Sequence, residues 1–83
     1  MTDVTDTVIQ LVAGVARKPA NTVEAGSRLA EDLIIKSANR IELSVLLEDT
    51  FDVTITIFEM LKTKTVDDVV KLVEAKRAAS TTG

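Results

Sequence analysis

The sequence predicts an all-α domain, a four-helix bundle with three longer helices, one short third helix and a long first loop. Three observations point there. Apolar residues recur at helical spacing in three separate stretches, each opened by a residue suited to a helix start. The segment between the first two, from Arg17 to Lys36, carries Pro19, Asn21 and Gly26 and shows no sustained period. The single β-like run, Asp52 to Thr56, has no second strand to pair with, and a lone strand has no ladder.

Length and composition narrow the class. Eighty-three residues make one domain, expected over 1–77, followed by a flexible tail over 78–83. Apolar residues are 46% of the chain, yet there are two Phe and no Trp or Tyr, so the core has to be aliphatic. Thirteen acidic and ten basic residues give a net charge of −3, which argues against nucleic acid or an anionic membrane as the main partner. Without cysteine there is no disulfide framework or thiol catalyst, and without histidine the usual acid–base group near neutral pH is missing. Metal sites built on either are excluded. Met1-Thr2-Asp3 lacks a positive n-region, and no apolar run approaches the roughly 20 residues of a bilayer span. A cytoplasmic monomer with no stable membrane insertion is expected.

The first helix is expected over 3–16, capped by Thr2 or Asp3, with Val4, Val8, Leu11, Val12 and Val15 on one stripe. Its acids lie near the positive end and Arg17 and Lys18 near the negative end, while Pro19 stops it. Its β-branched residues lower helix propensity, so packing must hold it. In the long connection Leu29, Leu33 and Ile35 are expected to pin the backbone to the core, and Ser27 to Glu31 could form a short helical turn. Thr56 and Glu59 form a capping box for the short third helix, Ile57 to Leu61. Thr65 and Asp68 open the last helix in a related way, with Val66, Val69, Val70 and Val73 as its apolar stripe and Asp67 and Lys71 spaced for an ion pair.

The second helix, expected over 37–50, carries most of the functional information. At about 100° per residue, Leu43, Leu46, Leu47, Thr50 and Phe51 share the core sector. The opposite sector holds Ile41, Val45, Glu48 and Asp52, flanked by Ala38, Glu42 and Asp49. Apolar residues among carboxylates fit either burial by another neighbour or a docking surface for a partner with a basic rim. Ser37 opens the helix, and by itself a serine there reads as an N-cap. A Ser37–Lys36 catalytic pair has nothing to supply an oxyanion site, and a solvated lysine stays protonated.

The order Asp32, Leu33, Ser37, Glu42, Leu43 resembles the modification site of acyl carrier proteins, and the similarity continues through Leu47, Glu48, Asp49, Phe51, Asp52, Ile55 and Val66 without a gap. The resemblance implies the bundle described above, with its long crossover. It also implies a 4'-phosphopantetheine arm, donated by coenzyme A and attached to Ser37 by a phosphopantetheinyl transferase. Acyl groups would ride on that arm as thioesters, so the protein is a carrier for acyl-transferring or acyl-modifying enzymes with basic docking surfaces, and not itself an enzyme. Glu42, Glu48 and Asp49 would be its charged docking residues, and Ile41 and Val45 the apolar ones. Leu47, Phe51, Ile55, Leu61 and Val66 would line an acyl pocket. Cargo stays open among fatty-acid, polyketide, lipid-specific and aminoacyl classes. Three positions depart from the family pattern: Ile34 stands where it has Gly, Lys36 where it has Asp, and Ala38 where it has Leu. Lys36 reverses the favourable sign of charge ahead of a helix, and these departures keep open an unmodified helical interaction module on the same scaffold.

Overall fold

A computed structural model describes residues 4–80. Helix α1 spans Val4–Ala16, α2 Ser37–Phe51, α3 Ile57–Leu61 and α4 Val66–Ser80, with one 3-10 turn at Ala20–Thr22. These are the four expected helices, α3 being the short one. The bundle is built by α1 packing on α2 and α4, and by α3 closing against α2. Among the described residues the extended backbone amounts to one isolated bridge, Arg28 with Thr65. The run Val53 to Thr56 is a connection, as its lack of a partner strand implied.

The core is aliphatic. Val8 and Val12 of α1, Leu43 and Leu47 of α2, and Val69 and Val73 of α4 are fully buried, with Met60 closing the α3 side. Each such side chain contributes about 1.5–3 kcal/mol by leaving water, which is what holds the valine-rich α1 helical. The buried polar groups are satisfied locally: the Ser44 hydroxyl donates to Ile41 O at 2.7 Å and that of Thr63 to Met60 O at 2.6 Å. Two expected core positions of α2 face outward instead. Leu46 is partly exposed and Thr50 is exposed, because the buried stripe follows Leu43, Ser44 and Leu47 and is narrower than the sector read from the sequence.

Helix ends follow the side chains that cap them. The Thr56 hydroxyl accepts from Glu59 N at 3.2 Å while Glu59 Oε1 accepts from Thr56 N at 2.9 Å, completing the expected box. Thr65 accepts from Asp68 N at 3.2 Å, and Asp68 Oδ2 accepts from both Lys64 N and Thr65 N. Lys71 and Asp67 pair at 3.1 Å. Helix α4 runs on to Ser80, beyond the boundary expected at residue 78, since nothing in Ala78 or Ala79 ends a helix. The rest of the expected tail, 81–83, lies outside the described residues.

The crossover is more ordered than its composition suggested. Leu29 N donates to Lys64 O at 2.9 Å and Val66 N to Ser27 O at 3.0 Å, while Asp67 N reaches Ala25 O at 2.8 Å. Ser27 to Glu31 therefore forms a bridge followed by a single α-type turn, Asp32 N donating to Arg28 O at 2.9 Å, that is not continued into a helix. Leu29, Leu33 and Ile35 are buried as expected, and Val23 joins them.

Among the described residues three other than glycine have positive φ: Arg17, Ile34 and Asp52. The first and last end α1 and α2, and an aspartate takes this conformation readily. Ile34, at φ 56° and with a branched Cβ, is the strained one. Leu33 and Ile35 on either side of this step are buried while Ile34 stays 64% exposed. Such a step costs about 1–2 kcal/mol for a residue with a Cβ. Ile34→Gly is expected to raise the unfolding free energy by about 1 kcal/mol, since the exposed side chain holds little of the core. Urea denaturation measures it, and Ile34→Ala should show no comparable gain.

Two carboxylates stitch the second half of the bundle. Glu48 Oε2 accepts from Ile55 N at 2.9 Å, fixing the α2–α3 connection to α2. Glu48→Ala should cost about 1–3 kcal/mol by leaving that partly buried N–H unpaired, whereas Glu42→Ala, on the exposed face, should stay within about 0.5 kcal/mol of the parent. Both are read by the same denaturation experiment. Glu59 pairs with Lys76 at 2.6 Å. That ammonium, with the Thr56 N–H, holds the Glu59 carboxyl down at about 2. A carboxyl depressed in the folded state stabilises it above the ordinary glutamate range and loses that contribution as pH falls toward 2. Thermal melts between pH 5 and pH 2 should fall more steeply for the parent than for Glu59→Gln.

Candidate functional site

The site is the entry to α2. Lys36 is the N-cap, with extended backbone, and Ser37 is the first helical residue. The expectation of Ser37 as N-cap is thus shifted by one: Lys36 N donates to Asn39 Oδ1 at 3.3 Å and Lys36 O accepts from Arg40 N at 3.0 Å. The ammonium of Lys36 cannot return a bond to the helix, so the cap is one-sided. This leaves the Ser37 hydroxyl without a capping duty. Ser37 is exposed and its hydroxyl makes no hydrogen bond among the described residues.

The surroundings fit a group carrying a phosphate. First-turn N–H groups of a helix have no intrahelical partner and the helix dipole favours negative charge there. Lys36 stands immediately ahead of the hydroxyl, and Arg40 stands one turn along on the same side. The Lys36 ammonium would complement a phosphodiester on Ser37, whereas the Arg40 guanidinium is turned toward α3, donating to Leu61 O at 3.2 Å. An unmodified helix start gains nothing from Lys36, so its charge suits the modified state better than the free one.

Down the helix, Ile41 and Val45 are 52% and 56% exposed. Burial of that face by a neighbouring element is therefore not found among the described residues. Glu42 and Asp49 are exposed beside them. Glu48 is half-buried and its carboxylate serves Ile55 N, so it is first a stitch in the fold. Val45, Leu46, Glu48 and Asp49 line a groove of about 360 Å³, to which Leu46 adds apolar surface that the periodicity had assigned inward. Asp52 is not on the face at all, being the left-handed residue that ends α2.

The residues expected to line an acyl pocket are spread over three environments. Leu47, Ile55 and Val66 lie in the one buried core. Phe51 packs on its edge, under the Arg77 guanidinium at 5.7 Å from the ring centre, and lines a separate cavity with Val4, Thr7, Thr50 and Arg77. Leu61 is 45% exposed at the end of α3, where its carbonyl accepts from the Arg40 guanidinium at 3.2 Å. Sequence reasoning missed Arg40, whose contact across to α3 lies 21 positions away, and the exposure of Ile34 and Phe58. The Gly-to-Ile departure was the available signal for Ile34. Nothing in the pattern signalled Phe58, because a short helix offers too few turns for a stripe.

Comparison with known proteins bears on the same residues. The family model described as phosphopantetheine attachment site matches residues 6–73, most of the chain. The acyl carrier protein of Helicobacter hepaticus is 43% identical over 58 residues, covering 70% of this chain and 76% of that protein. Those of Rickettsia massiliae and Rickettsia typhi are each 32% identical over 71 residues, covering 86% of this chain and 83% of theirs. With its four-helix architecture and a free serine hydroxyl opening α2, the chain belongs to the acyl carrier protein family, whose members bear a covalently attached 4'-phosphopantetheine.

Proposed function

We propose that Ser37 is the attachment point of the 4'-phosphopantetheine arm and that the exposed face of α2 is where partner enzymes engage the protein. The observation that carries this reading is the position of the Ser37 hydroxyl: exposed, unbonded and set at the start of α2. Its oxygen would form a bond to the phosphorus of coenzyme A that bears pantetheine. The bond from that phosphorus to the bridging oxygen breaks, adenosine bisphosphate leaves, and the serine proton passes to a base of the transferase. The arm supplies a terminal thiol that takes up acyl groups as thioesters, which is why the chain needs no cysteine of its own.

The chain's own residues have three tasks. Ser37 presents the oxygen. Lys36 and the first-turn N–H groups of α2 hold the phosphodiester. Ile41, Val45, Glu42 and Asp49 offer an apolar patch rimmed by acids, suited to partners with a basic edge; Glu48 adds charge while holding Ile55. Exposed charge pairs of this kind speed encounter more than they slow release, as a shuttle requires. The partners proposed are a phosphopantetheinyl transferase and enzymes that transfer or modify the acyl group, and the compartment proposed is the cytoplasm, where such a transferase meets coenzyme A. Catalysis then belongs to the partners and transport to this chain.

Intact-mass measurement after incubation with coenzyme A and a broad-specificity transferase tests the assignment. The parent should gain the mass of one arm, and Ser37→Ala should gain none. Lys36→Asp, which restores the acid the family carries at this position, should speed loading by a transferase whose contact surface is basic. A parent that gains no mass while Lys36→Asp with Ala38→Leu does would favour the unmodified interaction module instead.

A further inference from the structure

One cavity reaches the first turns of α2 through Arg40 but does not include Ser37 in its lining. It has a volume of about 390 Å³ and is lined by Arg28, Ala30, Glu31, Arg40, Lys64 and Thr65, so the crossover, the first turns of α2 and the α3–α4 connection all contribute. The three cations on it are held differently. Arg28 is neutralised by Glu31 at 2.6 Å and Asp32 at 3.3 Å. Arg40 spends one N–H on the Leu61 carbonyl, which sets the guanidinium across the gap between α2 and α3, and it carries no ion pair among the described residues, its other donors being available. Lys64 has its backbone fixed, its carbonyl accepting from Leu29 N and its N–H donating to Asp68, while its ammonium carries no ion pair among the described residues. Two cations without an ion pair among the described residues therefore share one cavity whose remaining wall is Ala30, Thr65 and the mutually paired Arg28 and Glu31.

Building on the attachment of the arm at Ser37, we propose that this cavity receives a short acyl group ending in a carboxylate, with Arg40 and Lys64 as its counter-ions. Ser37 and Arg40 are one turn apart on one side of α2, so a group tethered to Ser37 passes Arg40 first. The phosphodiester of the arm sits at the helix start, where Lys36 and the first-turn N–H groups already meet it. The charge of Arg40 and Lys64, farther along and across the gap, is left for an anion carried at the arm's other end. A neutral alkyl group would leave both cations as they are and gain only the small apolar part of the wall. A dicarboxylic half-thioester matches both parts of the lining.

The test uses the full chain loaded by a broad-specificity transferase from coenzyme A, from glutaryl-coenzyme A and from the neutral monoamide of the same glutaryl group. Backbone amide resonances of Ala30, Arg40, Lys64 and Thr65 are compared among the three forms. The glutaryl form should shift these resonances relative to both others, and the shift should shrink as salt is raised, as for a charge pair near the surface. Lys64→Gln, at an exposed position outside the core, should load normally and lose most of the shift; Arg40→Gln should do the same. Identical spectra for the glutaryl and monoamide forms, or a shift already complete in the form bearing the arm alone, overturn the proposal while leaving attachment at Ser37 standing. Failure to load at Ser37 overturns both.

Discussion

The placement of the α2 entry depends on how the twenty residues between α1 and α2, 17–36, are tied down. A connection of that length without helices would ordinarily be mobile, because each ordered residue costs about 1–2 kcal/mol of backbone entropy. Here it is laid against the α3–α4 connection and hydrogen-bonded to it through Ser27, Leu29 and Ala25. Leu29, Leu33 and Ile35 fill the space beneath α2 and α4 from the same strand of chain. The two connections hold one another, and together they fix where the backbone turns upward into α2. Between the buried Leu33 and Ile35 the exposed Ile34 takes a left-handed step, so the chain changes direction just ahead of α2. An exposed serine then follows two residues after a buried isoleucine, which is how a free hydroxyl comes to stand on an ordered base.

Charge around that hydroxyl is arranged in opposition along α2. Lys36 and Arg40 mark its start, with Arg28 and Lys64 on neighbouring connections, while Glu42, Glu48, Asp49 and Asp52 mark its middle and end. This runs against the helix dipole at both ends. Stability alone would not select such a pattern, and the fold tolerates it because the exposed charges are well solvated and each is worth only a few tenths of a kcal/mol. The pattern makes sense for a helix that acquires a phosphodiester at its first residue. A negative group there would convert Lys36 from an unfavourable neighbour into a counter-ion.

Much of the architecture could be read from the chain because its signals are local. The Thr56–Glu59 and Thr65–Asp68 pairs place the starts of α3 and α4 within a few residues of sequence, and Pro19 with Arg17 ends α1. The outer face of α2 was legible as a face, since Ile41 and Val45 fall opposite Leu43 and Leu47 on any regular helix. What the sequence could not show depends on contacts between distant segments. Whether Ile41 and Val45 were covered was decided by where α3 and α4 pack. Glu48 looked like one more surface acid until the Ile55 N–H was brought to it, seven positions on. Leu46 and Leu47 carry the same side chain side by side, and only the narrowness of the interhelical contact sends one inward and leaves the other half in water. The Arg28–Thr65 bridge joins residues with no common pattern at all.

The interior bears on what such a carrier can hold. Leu43, Leu47, Met60 and Val66 are packed with no exposed surface, and close-packed aliphatic side chains leave no room that an acyl chain could enter without displacing them. A long alkyl group would gain about 0.8 kcal/mol per methylene removed from water, but each methylene admitted must first part side chains that now touch one another. Branched residues yield less readily than unbranched ones, because Val and Ile have few alternative rotamers, and valine dominates α1 and α4 here. Admission is easiest at the edge, near Leu61 and Met60, where one side chain is half exposed and the other is unbranched and pliable. That edge is also where the Arg40 guanidinium crosses to α3. Short or polar cargo can rest against it without disturbing the core, whereas long cargo has to reopen the packing on which the α2 entry stands.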